Sequence, residues 1–250
     1  MQPQIGQTIE IDGHHLDLEQ FIAVARCGAQ VRIADRAIER MARSRKVVED
    51  IVESGRPAYG INTGFGDFSR VSISRDDANT LQNNLILSHC TGMGEAYPAE
   101  TVRGMLLLRA NALCGGYSGI RPEIVLTMAD MLNLNVHPVV PQKGSLGASG
   151  DLAPLSHLAL VLLGLGEAEY QGECLPGAEA MKRAKLPTYS LRAKEGLALI
   201  NGTQAMCSAG ALALYDRLQA AKLADIIASM SLEALRGLTD AFEDRVQTVR

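Results

Sequence analysis

The sequence predicts a mainly helical fold, in which an N-terminal region with glycine-rich loops leads into a long helix of a bundle. Aromatic residues make up only 4% of the 250 residues and tryptophan is absent, so Leu, Ile, Val, Met and Ala must build the core, a composition that favours helices. Apolar residues also recur at helical spacing in several segments. The last of these, from about Thr203 to about Phe242, is longer than an ordinary helix and is typical of a bundle.

The N-terminal part of the chain predicts one short strand and two helices. Apolar and polar residues alternate over Thr8–Ile11, which favours a strand. The apolar residues between Leu18 and Ala25 share a helical face, and this pattern stops at Gly28. A second helical pattern runs from Ile38 to Val52 and stops at Gly55.

The middle of the chain begins with an irregular segment, RPAYGINTGFG, at residues 56–66. Three further helices are predicted, at about 74–89, 98–113 and 122–134. Ser74 and Asp77 can cap the first of them, and Pro98 and Pro122 suit the first position of the other two.

A second irregular segment, at 135–150, precedes a predicted helix at 151–163. Residues 164–194 predict a small hairpin or loop with one short helix. The long helix then follows, so both glycine-rich segments lie between helices.

Charge and cysteine usage narrow the class of protein. Lys and Arg number 24 against 28 Asp and Glu, and the formal net charge of −4 excludes a strongly basic nucleic-acid-binding protein. The N-terminus lacks a signal-peptide pattern, and the longest apolar stretch, Leu158 to Leu165, is too short to span a bilayer. The five cysteines form no C-x-x-C pair, which predicts reduced, mostly buried thiols. We therefore expect a cytoplasmic protein without nucleic-acid, membrane, metal or nucleotide partners.

The second glycine-rich segment does not match the common phosphate-binding or hydrolase motifs. Gly144, Gly147 and Gly150 are spaced G-x-x-G-x-x-G, which is neither the dinucleotide fingerprint nor a P-loop. Ser149 with His157 as its base would make a serine nucleophile, but the G-x-S-x-G elbow is missing. For His157 we expect a buried histidine that is bonded to a backbone carbonyl.

Ala148-Ser149-Gly150 has the parts for backbone cyclisation. The glycine amide nitrogen is the least hindered one, and it can attack the alanine carbonyl carbon two residues back. Loss of one water closes a five-membered ring, and loss of a second water from the serine leaves an exocyclic methylidene. That group is an electrophile that no ordinary side chain provides.

Four motifs together resemble the aromatic amino acid ammonia-lyases, the family that includes the histidine and phenylalanine enzymes. They are GSLGASGDLAPLSH at 144–157, YGINTGFG at 59–66, LQNNL at 81–85 followed by Ser88-His89, and NGTQ at 201–204. Their order and spacing also resemble the family pattern, and the resemblance covers the whole chain. It implies the ammonia-lyase and fumarase-like fold, with a compact N-terminal region and a long-helix bundle.

The resemblance assigns roles to individual residues. It implies that Ala148, Ser149 and Gly150 form the methylidene-imidazolone (MIO) group, that Tyr59 is the base and that Asn201 lines the site. In the family the substrate amine adds to this group, a β-carbon proton is removed and ammonia leaves. The residues expected to support the site are Asp151, Gly60 and Gln204.

The pair Ser88-His89 implies the substrate. At these positions the pair is similar to Phe-Leu in the phenylalanine enzymes of the family and to His-Leu in the tyrosine enzymes, whereas Ser-His is the histidine-type pair. An imidazole side chain can exchange hydrogen bonds with an imidazole substrate. The implied reaction converts L-histidine to trans-urocanate and ammonia, the first step of histidine degradation, in a homotetramer.

The length departs from the family, whose enzymes are about twice as long. We expect an N-terminal portion, with an MIO-bearing domain at 1–200 and the start of the helical bundle at 201–250, that is inactive alone. The alternatives are an MIO aminomutase, another aromatic amino acid ammonia-lyase, a non-catalytic folding or assembly fragment, and, more remotely, a serine hydrolase.

Overall fold

The computed structural model describes residues 6–63, 75–146 and 150–249. The chain divides into two compact units, residues 1–210 and residues 211–250. The predicted site residues of the described part lie in the first unit.

Ten α-helices and seven strands occur in the described residues. The helices are α1 (Leu18–Ala25), α2 (Asp35–Ser54), α3 (Arg75–His89), α4 (Ala99–Cys114), α5 (Pro122–Asn133), α6 (Leu152–Leu162), α7 (Gly177–Arg183), α8 (Glu195–Ile200), α9 (Gln204–Ala234) and α10 (Asp244–Gln247). The strands are β1 (Thr8–Ile11), β2 (Gln30–Ile33), β3 (Met93–Ala96), β4 (His137–Pro138), β5 (Pro141–Lys143), β6 (Glu167–Tyr170) and β7 (Glu173–Pro176). The predicted mainly helical fold is thus confirmed.

The strands form three small sheets around the helices. β1 pairs with β2 in parallel, β3 pairs with β5 antiparallel, and β4, β6 and β7 form an antiparallel sheet. The strand predicted at Thr8–Ile11 and the hairpin with one short helix predicted within 164–194 are confirmed. β2 was not predicted, because its four residues gain their pairing from β1 across the intervening helix rather than from a local turn.

The core of the first unit centres on α4, which packs against α1 and α5. Its apolar residues Met105, Leu106 and Leu107 are completely buried, and so are Leu155 and Leu158 of α6. α6 also packs against α3 and α8. This packing brings the segments that follow α3, precede α6 and follow α8 into one region.

The long helix ends earlier than its apolar pattern predicts. α9 stops at Ala234, whereas the pattern continued to about Phe242. Arg236 has a left-handed φ of +53°, and the amide of Gly237 donates to the carbonyl of Leu232 at 2.8 Å. This is a C-terminal helix cap closed by backbone hydrogen bonds, in which Arg236 takes the left-handed position that is usually glycine.

By length and composition, the segment Glu195–Ala234 could cross a membrane. The long core helix of a helical bundle passes the same test, so the finding is weak support for a membrane span. The segment contains both α8 and α9, with the NGTQ turn between them.

The cysteines are free but mostly not buried, so that part of the prediction was wrong. Cys27, Cys174 and Cys207 are exposed and Cys90 is half-buried, since they lie at helix ends, in a strand at a sheet edge or on a helix surface. Cys114 is buried, and burial raises the pKa of its thiol to about 12.

His137 in β4 makes the fold sensitive to acid. Burial, and next the charge of Arg103, lower the pKa of His137 from 6.5 to about 4, and Arg103 Nη1 lies 3.2 Å from its Nε2. As pH falls, the His137 ring is protonated in the unfolded state before it is protonated in the folded state. The stability that goes with the neutral ring is therefore present above pH 6.5 and is lost as pH falls toward 4. The side chain is partly exposed, so we expect a loss of about 1–2 kcal/mol.

Urea denaturation at pH 7 and at pH 4 measures this effect. The free energy of unfolding should fall less in His137→Gln than in the unmodified chain, whereas His14→Gln, at an exposed histidine, should behave like the unmodified chain. Equal losses in the chain and in His137→Gln would contradict the assignment.

Candidate active site

Gly150 occupies a position that only glycine fits. Its φ is +109°, and a Cβ atom there would lie 2.2 Å from the carbonyl oxygen of Gly202. The same Gly202 oxygen accepts a hydrogen bond from the amide of Asp151 at 2.6 Å. Gly150, the last residue of the predicted triad, therefore packs directly against the NGTQ turn.

Asp151 joins three segments of the site. The residue is 1% exposed; Oδ1 accepts from Ser145 Oγ at 2.6 Å and Oδ2 accepts from the amide of Met206 at 2.8 Å. Asp151 directly precedes α6, but its carboxylate does not cap that helix and bonds instead to the first turn of α9. A carboxylate is favoured there because free amides point out of a helix N-terminus.

Asn201 and Gln204 meet at a buried cation that the sequence analysis did not identify. Arg109 of α4 is 4% exposed and donates through Nη1 to the carbonyl oxygen of Asn201 at 3.1 Å and to Oε1 of Gln204 at 3.0 Å. Its Nη2 donates to the carbonyl oxygen of Ala198. A charged residue inside the apolar run GMLLLRANAL was the signal that could have revealed it.

Ser88 and His89 lie at the C-terminal end of α3. His89 Nδ1 lies 2.9 Å from the carbonyl oxygen of Leu85, which also accepts from Ser88 Oγ at 3.0 Å. Nδ1 also lies 3.0 Å from Ser88 Oγ. In the tautomer that donates from Nδ1 to the Leu85 carbonyl, Nε2 is left as an acceptor for a ligand that donates an N–H.

His157 of α6 binds the chain three residues beyond His89. Its Nε2 accepts from the amide of Gly92 at 3.0 Å, so its backbone partner is an amide donor and not the carbonyl that we expected. Burial lowers the pKa of His157, which keeps the ring neutral and able to accept. A Cβ atom on Gly144 would lie 3.0 Å from the α-carbon of Gly92, so the chain beyond His89 runs alongside the start of that segment.

Tyr59 lies in a turn held by its own neighbours. Asn62 accepts from the amide of Ala58 at 2.8 Å and donates to the carbonyl oxygen of Arg56 at 2.9 Å, and Gly60 has a φ of +72°. The Tyr59 side chain is 57% exposed, so the described part of the chain does not enclose it.

The structure therefore brings together Gly150, Asp151, Asn201 and Gln204 around Gly202 and Arg109. Gly92, three residues beyond His89, is hydrogen-bonded to His157 of α6, the helix that follows Asp151. Ala148 and Ser149 lie outside the described residues. Among the described residues, no group of three His, Cys, Asp or Glu side chains is placed to hold a metal ion.

Comparison with known proteins gives the family. The aromatic amino acid lyase pattern matches residues 16–250. The chain belongs to the aromatic amino acid lyase family. The histidine ammonia-lyase of Alkaliphilus metalliredigens is 54% identical to this lyase chain over 244 residues, which are 98% of the chain and 48% of that protein.

Solved structures of related proteins share the fold. The histidine ammonia-lyase of Trypanosoma cruzi superposes with a TM-score of 0.90 at 38% identity. The match covers 98% of this chain and 48% of the Trypanosoma cruzi chain. The ergothioneine-degrading enzyme ergothionase of Treponema denticola gives a TM-score of 0.90 at 32% identity. That match covers 98% of this chain and 49% of the ergothionase chain. This lyase chain spans about half the length of the curated relatives it matches.

Proposed function

We propose that the whole protein converts L-histidine to trans-urocanate and ammonia by MIO-dependent elimination. The observation that carries the choice of substrate is the pair Ser88-His89, in which the bond from His89 Nδ1 to the Leu85 carbonyl leaves Nε2 as an acceptor for the substrate imidazole N–H. The 54% identity to a protein named histidine ammonia-lyase supports the same substrate. We further propose a cytoplasmic homotetramer.

The residues around the triad fit an MIO group. The ring requires glycine at its third position, and the Gly202 carbonyl leaves no room for a side chain at Gly150. The group supplies an electrophile for the substrate amine. Asp151, held by Ser145 and Met206, fixes the backbone that follows the triad.

The other roles are assigned to this chain's own side chains. Tyr59 takes the proton from the β-carbon, and its side chain needs cover from outside the described residues to exclude water. Asn201 holds the substrate through its side chain, since its backbone carbonyl is bonded to Arg109. A fragment that spans half of its relatives is proposed to be inactive alone.

His89→Leu tests the substrate assignment. Loss of one hydrogen bond to the substrate imidazole should lower kcat/KM for L-histidine about 10- to 100-fold in the whole protein. His89→Gln, which keeps an acceptor, should lose less. The assay measures release of the elimination product of each substrate: urocanate from L-histidine, cinnamate from L-phenylalanine and p-coumarate from L-tyrosine.

The products distinguish the alternatives. Unchanged kcat/KM for L-histidine in His89→Leu would contradict the role of His89. Cinnamate from phenylalanine without urocanate from histidine would contradict the substrate, and recovery of a β-amino acid would indicate an aminomutase.

A further inference from the structure

Two buried arginines lie on α4, six positions apart, and they bind different parts of the fold. Arg103 is 5% exposed and donates to the carbonyl oxygens of Val24 and Leu132 and to Asn135. These partners belong to the ends of α1 and α5, away from the predicted site residues. Arg109 instead donates toward the α8–α9 junction.

Arg109 closes the NGTQ turn from the core side. Its guanidinium bonds the carbonyl oxygens of Ala198 and Asn201 before the turn and the side chain of Gln204 after it. A Cβ atom on Gly202 would lie 2.3 Å from Nη1, so the guanidinium packs directly against the turn. One side chain thus fixes both ends of a four-residue loop.

The opposite side of the turn carries the end of the triad. Gly202 directs its carbonyl oxygen to the Asp151 amide and against Gly150, while Met206 donates to the Asp151 carboxylate. A shift of the turn would therefore move the acceptor on which the Gly150–Asp151 peptide rests. The turn therefore lies between Arg109 and Gly150, the last residue of the triad.

Burial of the Arg109 guanidinium costs desolvation free energy, and its hydrogen-bond acceptors carry no negative charge that would offset this cost. Among the described residues, the acceptors of its guanidinium are two carbonyls and an amide oxygen, and none accepts from its buried Nε. Burial lowers the pKa of Arg109 to about 10. A buried cation with neutral acceptors contributes little to stability over an apolar side chain of equal volume. Its placement in the core therefore points to a positional role.

We propose that Arg109 is a positioning residue for MIO formation, which holds the Asn201–Gln204 turn so that Gly202 presses the Gly150–Asp151 backbone into the geometry that cyclisation needs. This inference rests on the proposed function. In that step the Gly150 amide nitrogen bonds to the Ala148 carbonyl carbon, and two waters leave in total, one from that carbonyl and one from the Ser149 side chain.

Amide hydrogen exchange tests the positioning directly in the purified chain. In Arg109→Met the protection of the Asp151 and Met206 amides should fall at least about tenfold beyond the fall at the core amides of α4. Arg103→Met, the matched control, should lower protection generally without this local loss. Arg109→Lys, which keeps a donor, should lose less protection than Arg109→Met. Unchanged local protection in Arg109→Met and Arg109→Lys would overturn the proposal.

Intact mass of the whole protein tests the consequence. The unmodified protein and Arg103→Met should lack two waters at the triad, and a large fraction of Arg109→Met should retain them. Full loss of both waters in Arg109→Met would overturn the role in cyclisation. If the unmodified protein itself retains both waters, the proposed function fails, and hydrogen exchange still decides whether Arg109 holds the turn.

Discussion

In the whole protein, Ser149→Ala is expected to lower kcat for elimination from L-histidine by at least about 10³-fold. The methylidene carbon of the MIO group comes from the serine side chain, and alanine has no hydroxyl to lose as the second water. KM should change much less, because His89 and Asn201 remain to bind the substrate. The measurement is the steady-state rate of urocanate release.

Ser156→Ala is the matched control for that loss. Ser156 is a buried serine of α6, the helix that follows the triad in the chain, and its hydroxyl donates to the carbonyl oxygen of Leu152 within that helix. Its removal should cost about 1 kcal/mol of stability and leave kcat unchanged. Comparable kcat values for Ser149→Ala and Ser156→Ala would contradict the role of Ser149.

Gly150→Ala should be the most damaging small substitution in the described part of the site. The added methyl meets the Gly202 carbonyl oxygen at 2.2 Å, and a φ of +109° is strained for any residue with a Cβ atom. We expect a loss of about 2–4 kcal/mol in the free energy of unfolding, measured by urea denaturation, and a protein that does not form the MIO group.

Gly172→Ala is the control that has the backbone strain of a positive φ without the steric clash met by Gly150→Ala. Gly172, in the turn between β6 and β7, has a φ of +82°, and a Cβ atom there has no neighbour within 4 Å. It should cost only about 1–2 kcal/mol. Equal losses of stability in Gly150→Ala and Gly172→Ala would show that Gly202 does not crowd the triad.

Local features of the fold were predictable from the sequence because they depend on neighbouring residues. The alternation at Thr8–Ile11 gave a strand, and Gly55, with a φ of +65°, caps α2 where its pattern stopped. The end of α9 shows the limit of periodicity, since apolar residues continue beyond Ala234 while the backbone turns at Arg236.

The site was predictable only in part. The motifs named its residues through a family resemblance, but the side chains that arrange them act over long separations. Arg109 binds residues 89 to 95 positions away, and His157 binds an amide 65 positions away. No local pattern records such pairs, because tertiary packing alone brings them together.

The mass of the peptide that contains Ala148-Ser149-Gly150, taken from the unmodified whole protein, tests the central claim most directly. Elimination by this site requires the MIO group, so we predict a peptide lighter by two waters than its sequence requires. A peptide of full mass would contradict MIO-dependent catalysis and leave Ser149 an ordinary serine.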